Sequence, residues 1–578
     1  MRALDTKTPG LYLRTVAHLR PEQIVHRLRL RAQQAALTRW PGPFERRWAH
    51  AGNPPTWPAD FVALDAAVPP ASGSLEELER GTFTFLNESR SLGRPIIWNP
   101  ADASQLWLYH QHYWEWAWTL AAHGERDRAR KVFGEHLRTW VAATDFGRWN
   151  AWAPYPTSLR AWVFVNVAGT LAAGTALEGA LHRQLQLHAG FVERNLELDV
   201  GGNHLVKNLK ALLGLGVYFD DARLVRKAAT HLQRQLPLQV LPDGGHFELS
   251  PSYHCQVLGD LIDMSNLLRA AGLPAIEGLD GAVARMRRWL GVMLMPDGDV
   301  PLLNDCELVG RERISALKPT APPPGPLTVL PDSGYVVAKP GNRLHLVADV
   351  GRPCPPDLPA HAQADCLTFE LAVDGARVVV DPGTSVYGSG PQRNLERSTS
   401  AHNTITVDDM DQTEVWGSFR AGRLAEASLH RAEMVGDDVE IVASHDGYAR
   451  LPGSPRHRRR WLVSPSSVDI TDWLDGSGSH RVRARLLFDA DHLTLDAAAR
   501  LLDGQEADGR EFKLSMPPTA DAGQASSGLA VSVSHASHAV GFGDVRTATE
   551  IVAAGHLRFP TRLQSRIVLV PSQAQDRP

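Results

Sequence analysis

One change of rhythm limits the folds open to this chain of 578 residues. From about residue 75 to 316, apolar side chains recur every three or four positions, in runs such as SQLWLYHQHYWEWAWTLAAHG, NHLVKNLKALLGLGVYF and YHCQVLGDLIDMSNLLRAAG. That spacing is the mark of amphipathic helices, and Gly or Pro separates most of the runs. After LKPTAPPPGPLTVLPDSG, residues 317–334, the period drops to two. RLHLVADV, LTFELAV, RVVVD, NTITVDD, DVEIVAS, SSVDITDWLDG and RVRARLLFDA read as short strands bounded by Gly, Asp and Pro. The proline-dense stretch reads as a linker. A helical domain (75–316) therefore precedes an antiparallel β-sandwich (335–578), and a chain this long needs more than one core. Consecutive helices with short connections predict stacked pairs, in a toroid or a solenoid, and no repeat of fixed length chooses between them.

Residues 1–74 stand apart. MRALDTKTPGLYLRTVAHLRPEQIVHRLRLRAQ is basic and amphipathic, with arginines interrupting every apolar stretch. It lacks the apolar segment and cleavage site of a secretory signal, and no run in the chain is long enough to span a bilayer. The segment is expected to pack on the helical domain in preference to a membrane surface. Cytoplasm is the expected location, with the periplasm as the alternative. A net charge of -4 argues against a nucleic-acid partner. Cys255, Cys306, Cys354 and Cys366 lie far apart, which is neither a disulfide framework nor a zinc knuckle.

Polar residues cluster in four places. In GGNHLVKN, Asn203 and His204 follow a Gly-Gly break at a helix start, where free N–H groups and the dipole favour an anion. In DGGHFELSPSYH, His246, Glu248, Tyr253 and His254 surround a turn, with Ser250 and Pro251 suited to cap the next helix. RWNAWAPYPTSLRAW offers Trp149, Trp152 and Tyr155 as flat faces for sugar rings, and Arg160 as a fork for a carboxylate or sulfate. The tryptophans of the Trp107–Trp118 stretch read as core. The fourth cluster surrounds LTFELAVDGARVVVDPG, a hairpin turning at Asp374-Gly375. His361 and Asp365 precede it, Asp381 closes it, and Arg393, Arg397, His402 and Asn403 follow. Asp365 and Asp381 read as a buried network between strands; His361 reads as functional.

GNHLVKNLKAL, DGGHFELSPSYH, PLLND and HAQADCLTFEL through HNTITVDDMDQTEVWGSFRAGR resemble, in consistent order over roughly residues 150–425, the heparinase II/III-like superfamily of polysaccharide lyases. The resemblance implies an N-terminal (α/α) toroid of paired helices, a C-terminal antiparallel β-sandwich, and a substrate cleft between them. It implies β-elimination at a uronic acid of an anionic polysaccharide. Such chemistry needs the carboxylate neutralised, a base for the C5 proton and an acid for the leaving oxygen. By resemblance, Asn203 and His204 match the neutralising block, with His204 also a candidate base. Tyr253 matches the catalytic tyrosine, acting as acid and, as the alternative to a histidine, also as base; nearby cations would lower its pKa from near 10. His361 matches the histidine reaching in from the sandwich, and Arg393, Arg397, His402 and Asn403 take binding roles, with Trp152, Tyr155, Arg160, His246, Glu248 and His254.

Relatives often carry His-x-His where this chain has His361-Ala362-Gln363. With Gln363 in the second place, the candidate set for a structural zinc or calcium ion is Gln363, Asp381 and His402, and the amide is a far weaker ligand than imidazole. Elimination requires no cofactor. Without a dense Lys/Arg run near these blocks, a highly sulfated polymer is less expected than alginate, a low-sulfated heparan or a bacterial exopolysaccharide. Two other readings remain open: a hydrolase, which needs paired carboxylates, and a non-catalytic glycan-binding or assembly protein.

Overall fold

The computed structural model describes residues 8–489 apart from positions 54, 70, 71 and 149, the backbone of strands His492–Asp496, Leu501–Gln505 and Glu511–Ser515, and residues 529–569. Helices run to Leu317, interrupted by one small hairpin (Thr82–Phe85 with Glu88–Ser91), and the large sheet starts at Leu327. Helices pack on their neighbours in sequence: Pro154–Val167 on Glu178–Arg194, Gly202–Tyr218 on Ala222–Gln239, and Pro251–Ala270 on Leu279–Met293. Their starts follow from local chemistry. Asp221 accepts the N–H groups of Arg223 and Leu224, and Ser250 accepts that of Tyr253 with Pro251 in the first turn. Helix Pro154–Val167 is buried on nearly every side, so it forms the centre of the helical core.

Leu327–Leu330 pairs with Tyr335–Ala338, so the sheet begins inside the proline-rich segment expected as linker. The pairing throughout is antiparallel. SSVDITDWLDG and RVRARLLFDA, read as separate strands, form one strand, Ser467–Phe488, paired with the still longer Asp544–Leu569. A register shift between Leu474 and Gly478, with Gly476 and Gly478 at positive φ, lets the strand bend without ending. The hairpin at Asp374-Gly375 forms as expected, joining Phe369–Val373 to Ala376–Val379.

The two halves share a core of their own. Trp289, Met293 and Leu303 pack with Tyr335, Val337 and Val347 from the first strands of the sheet. Polar ties flank it: the Trp289 indole donates to Ser333 Oγ at 2.9 Å, and the Tyr335 hydroxyl donates to the Leu249 carbonyl at 2.6 Å. Burial of that apolar surface, at about 25 cal/mol per Å², makes the halves one unit instead of beads on a string.

The N-terminal helices strap this unit. From helix Thr8–Ala17, Arg14 pairs with Glu414 at 2.7 Å and Thr15 donates to the Ala421 carbonyl at 2.8 Å. From helix Pro21–Arg39, Gln23 donates to the carbonyls of both Asp199 and Asp357. The segment therefore packs on the sandwich as well as on the helical domain. Helix Pro41–Trp48 lies against Gly190, where an added Cβ would meet the Trp48 carbonyl oxygen at 1.7 Å. No described helix is long and apolar enough to cross a membrane.

Candidate active site

A cleft of about 920 Å³ opens between the halves, and its walls come from both. Tyr113, Tyr155, Glu197, Asn203, His204, Glu248, Tyr253, Asp305 and Glu307 come from the helical half, and His361, Thr384, Tyr387 and Phe419 from the sandwich. Of the residues singled out in the sequence, six reach this cleft: Asn203, His204, Tyr253, His361, Tyr155 and Glu248.

Gly201 and Gly202 make the turn into helix Gly202–Tyr218 with φ of +74° and +52°. That turn is tight because Glu248 fills the helix end: Asn203 N–H donates to Glu248 Oε1 at 2.7 Å and the Asn203 amide donates to Oε2 at 2.8 Å. The anion expected at this terminus is thus the protein's own carboxylate, and Glu248 orients Asn203 instead of offering a free group to substrate. A Cβ on Gly202 would sit 1.9 Å from Glu248 Oε1. Gly202→Ala is therefore expected to displace Glu248 and cut any activity by at least about tenfold, with a lowered unfolding temperature, since the site couples strain at positive φ to a steric clash. Gly201→Ala, with open space at its Cβ, carries the φ penalty alone and is the control.

His204 lies against the Tyr155 ring, 4.3 Å between centroids, with Nδ1 3.0 Å from Glu197 Oε1. Burial works against its charged form, but the charge and hydrogen bond of Glu197, with Glu248 and Asp199, outweigh burial and raise its pKa above the ordinary value. At neutral pH this favours a cation.

Tyr253 occupies the first turn of helix Pro251–Ala270, and its hydroxyl meets that of Tyr387 at 2.8 Å. The His361 ring stacks on it, with centroids 3.8 Å apart and planes 27° from parallel. Burial pushes the Tyr253 phenol up, as do the charges of Asp305, Glu248 and Glu307. The expected lowering by cations is absent: Arg393, over the ring of Tyr387, is already committed, forking onto Asp305 with both contacts at 2.6 Å. Burial works to raise the Asp305 pKa, and Arg393 with His361 outweighs it, holding the carboxyl well below the usual range. His361 faces carboxylates at both ring nitrogens, Glu248 and Asp305, each at 3.3 Å. Asn203, Glu248, His361, Asp305 and Arg393 thus form one chain of contacts crossing the domain boundary.

Other sequence-named residues stand elsewhere. Trp152 is core, packed on Phe146 and His188, and Arg160 is fully buried between Trp140 and Trp152, donating to His188 and to the His112 carbonyl. His246 is buried against Gln239, and His254 stacks on Trp289. Arg397 spends its guanidinium on the carbonyls of Ala362, Gly417 and Arg420. Asn403 ties the carbonyls of Phe369 and Val380 to the Leu487 N–H. These groups position strands and helices and do not line the cleft. Trp149 lies outside the described residues. The residues missed from sequence are Tyr387, Asp305, Glu307 and Glu197. Burial holds the carboxyls of Glu307 and Glu115, both on the cleft wall, at about 7.

The candidate metal ligands make protein contacts of their own. His402 Nδ1 lies 3.0 Å from Asp381, while Gln363 turns its amide N–H groups to Asp305 and Thr384. Among the described residues, no group of three His, Cys, Asp or Glu is placed to hold a metal ion. Gln363 Oε1, both Asp365 carboxylate oxygens and His402 Nε2 are buried without a partner among the described residues, so the polarity there is unspent.

Residues 177–319 match the family model of the heparinase II/III N-terminus, and residues 322–570 that of the heparinase II/III-like C-terminal domain. The chain belongs to the heparinase II/III-like superfamily. FtsZ-localized protein C of Caulobacter vibrioides is 27% identical over 422 residues, covering 68% of this chain and 69% of its own. A heparin-sulfate lyase of Bacteroides stercoris is 28% identical over 314 residues (48% and 44% covered), and one of Pedobacter heparinus 25% over 368 residues (54% and 54%). The chain spans about half the length of these two lyases. Among solved structures, the crystal structure of heparinase III superposes with a TM-score of 0.72 at 16% identity, covering 98% of this chain and 93% of its own. Heparan sulfate lyase from Pedobacter heparinus gives 0.59 at 16% identity, covering 92% and 87%. These likenesses establish the heparinase III fold, helical domain then antiparallel sheet, for this superfamily member.

Proposed function

We propose that this superfamily member is a polysaccharide lyase that cleaves a uronate-containing glycan by β-elimination. The observation that carries the reading is the convergence of Asn203, His204 and Tyr253 from the helical domain with His361 from the sandwich in one cleft. The uronate carboxylate would lie against the His204 cation and the amide of Asn203, which Glu248 holds in place. Neutralising that carboxylate acidifies the C5 proton, the step on which elimination turns. Tyr253, a phenol at rest, suits the donor to the leaving glycosidic oxygen. The acceptor needs a free electron pair near neutral pH. Glu307, on the same cleft wall as Tyr253 and held by burial at about 7, supplies one. The C5 proton passes to Glu307, the C4–O bond breaks, its electrons stay on the oxygen that Tyr253 protonates, and a C4=C5 double bond forms.

This assignment sets the pH profile. Glu307 acts deprotonated, so kcat/KM should rise with pH through about 7; His204 acts charged, so it should fall again above the raised histidine value. Glu307→Gln should remove the rising limb and lower kcat about 100-fold or more; an unchanged limb would reassign the acceptor. Product mass tests the function itself. Elimination yields fragments lighter by one water than those of hydrolysis, and a product carrying that water would replace the lyase with a hydrolase.

A second reading has its own support. The relative named FtsZ-localized protein C aligns over most of this chain, which favours a non-catalytic, glycan-binding or assembly role. Under that reading the cleft would bind anionic glycan without turnover.

A further inference from the structure

Seven of the seventeen large apolar side chains that stand exposed among the described residues lie between Tyr12 and Trp40, which marks one short segment as unlike the rest of the surface. Tyr12 is engaged, edge-on to Trp416 at 4.6 Å. The others face outward. Helix Pro21–Arg39 turns Gln23 and Leu37 to the body of the protein and presents Val25 (63% exposed), Leu28 (62%), Ala32 and Ala35 on the opposite side. Their spacing of three and four residues makes a single stripe. Trp40 (57% exposed) ends it, and the preceding helix exposes Leu13 (74%) and Val16.

Arginines frame the stripe. Between Thr8 and Trp48 the chain carries eight arginines and two glutamates, against a net charge of -4 for the whole. Arg14, Arg20 and Arg27 are tied to acids of the protein body. Arg29, Arg31, Arg39, Arg46 and Arg47 are exposed and pair with no carboxylate among the described residues. Free arginines around an aliphatic stripe, with a tryptophan at its end, match the headgroup region of an anionic bilayer. A helix of 19 residues, about 28 Å long, offers a long, shallow line suited to lying in that region.

We propose that helices Thr8–Ala17 and Pro21–Arg39 dock this protein on the surface of an anionic phospholipid membrane. The inner faces of the same helices hold Asp199, Asp357 and Glu414, in segments that neighbour the cleft. Docking would therefore fix the direction in which the cleft faces. Turnover of a soluble glycan does not depend on it.

The test is co-sedimentation of the full chain with phosphatidylcholine vesicles, with and without phosphatidylglycerol. Binding should need the anionic lipid and weaken with added salt. Val25→Asp and Leu28→Asp should each lose about tenfold or more in affinity, and Arg31→Gln and Arg39→Gln roughly fivefold each. Leu238→Asp, at an exposed apolar position on another helix, should change nothing, and circular dichroism checks that every variant stays folded. Failure of the wild type to sediment with anionic vesicles would overturn the proposal. So would binding indifferent to Val25→Asp, or a dimer in solution that Leu28→Asp makes monomeric, which would give the stripe to a second copy of the chain.

Discussion

Tyr253→Phe should lower kcat on a uronate polymer by about 100- to 10,000-fold, the range a positioned proton donor contributes, while KM stays within a few-fold. The asymmetry follows from where the hydroxyl sits. Its one hydrogen-bond partner among the described residues is the Tyr387 hydroxyl at 2.8 Å, and the ring, not the oxygen, makes the stack with His361. Phenylalanine keeps that stack and the helix packing, and leaves one hydroxyl of Tyr387 without its partner, a cost of about 1 kcal/mol. The variant should fold and bind. Tyr387→Phe separates the two phenols: it keeps the Tyr253 proton and should cost far less in kcat. Equal losses in both variants would mean that the pair acts as a unit, and no loss in Tyr253→Phe would remove tyrosine from the chemistry altogether.

Arg393→Met should produce the largest loss of stability of any single change near the site, about 3–5 kcal/mol, because it takes the bidentate cation from the buried Asp305 carboxylate and leaves it His361, Gln363 and Thr384 among the described residues. Both Asp305 and Arg393 are fully buried, and the bidentate contact joins the end of the helical half to the sandwich. The sign of the pH effect is fixed. The pKa of Asp305 is depressed in the folded protein, so the pair contributes its full stability above the unfolded value near 3.9 and loses it as pH falls toward the folded one. The gap between wild type and Arg393→Met should therefore narrow on acidification. Thermal unfolding at neutral pH and at about pH 2.5, below the unfolded value, measures this; a constant gap would mean that Asp305 is not the charge left behind. Activity should fall with stability, since Asp305 also orients His361.

The sequence carried the architecture because hydrophobic period is a property of each segment by itself. The switch from three-to-four to two, the Asp374-Gly375 turn and the Ser250-Pro251 helix start all appear in the structure where the residues placed them. Strand ends were harder. Gly476 and Gly478 look like a terminator, yet in a strand paired on both sides they serve as a bend.

Site residues were legible where a turn forces a side chain into the open, as Gly201-Gly202 does for His204. They were misplaced where exposure depends on packing between distant segments. Arg160 looked like a sugar-binding fork, but its helix is apolar on all faces, and that was the available sign that an arginine there belongs to the core. Trp152, His246 and His254 failed for the same reason. Tyr387 lay unnoticed in the loop segment TSVYGSG because nothing local shows that the loop reaches back to Tyr253. Glu248 was read as a ligand for substrate, and only the three-dimensional closeness of two turns reveals it as the anion on the Asn203 helix.

The most direct test of the account is ultraviolet absorbance of the unsaturated uronate, followed for the wild-type protein over alginate, heparan sulfate, hyaluronan and bacterial exopolysaccharides. Absorbance should rise steadily with at least one of them, most on polymers of low sulfation, and the rise should be lost in Tyr253→Phe. A flat trace on every polymer that the cleft binds would contradict elimination and leave a glycan-binding protein in its place.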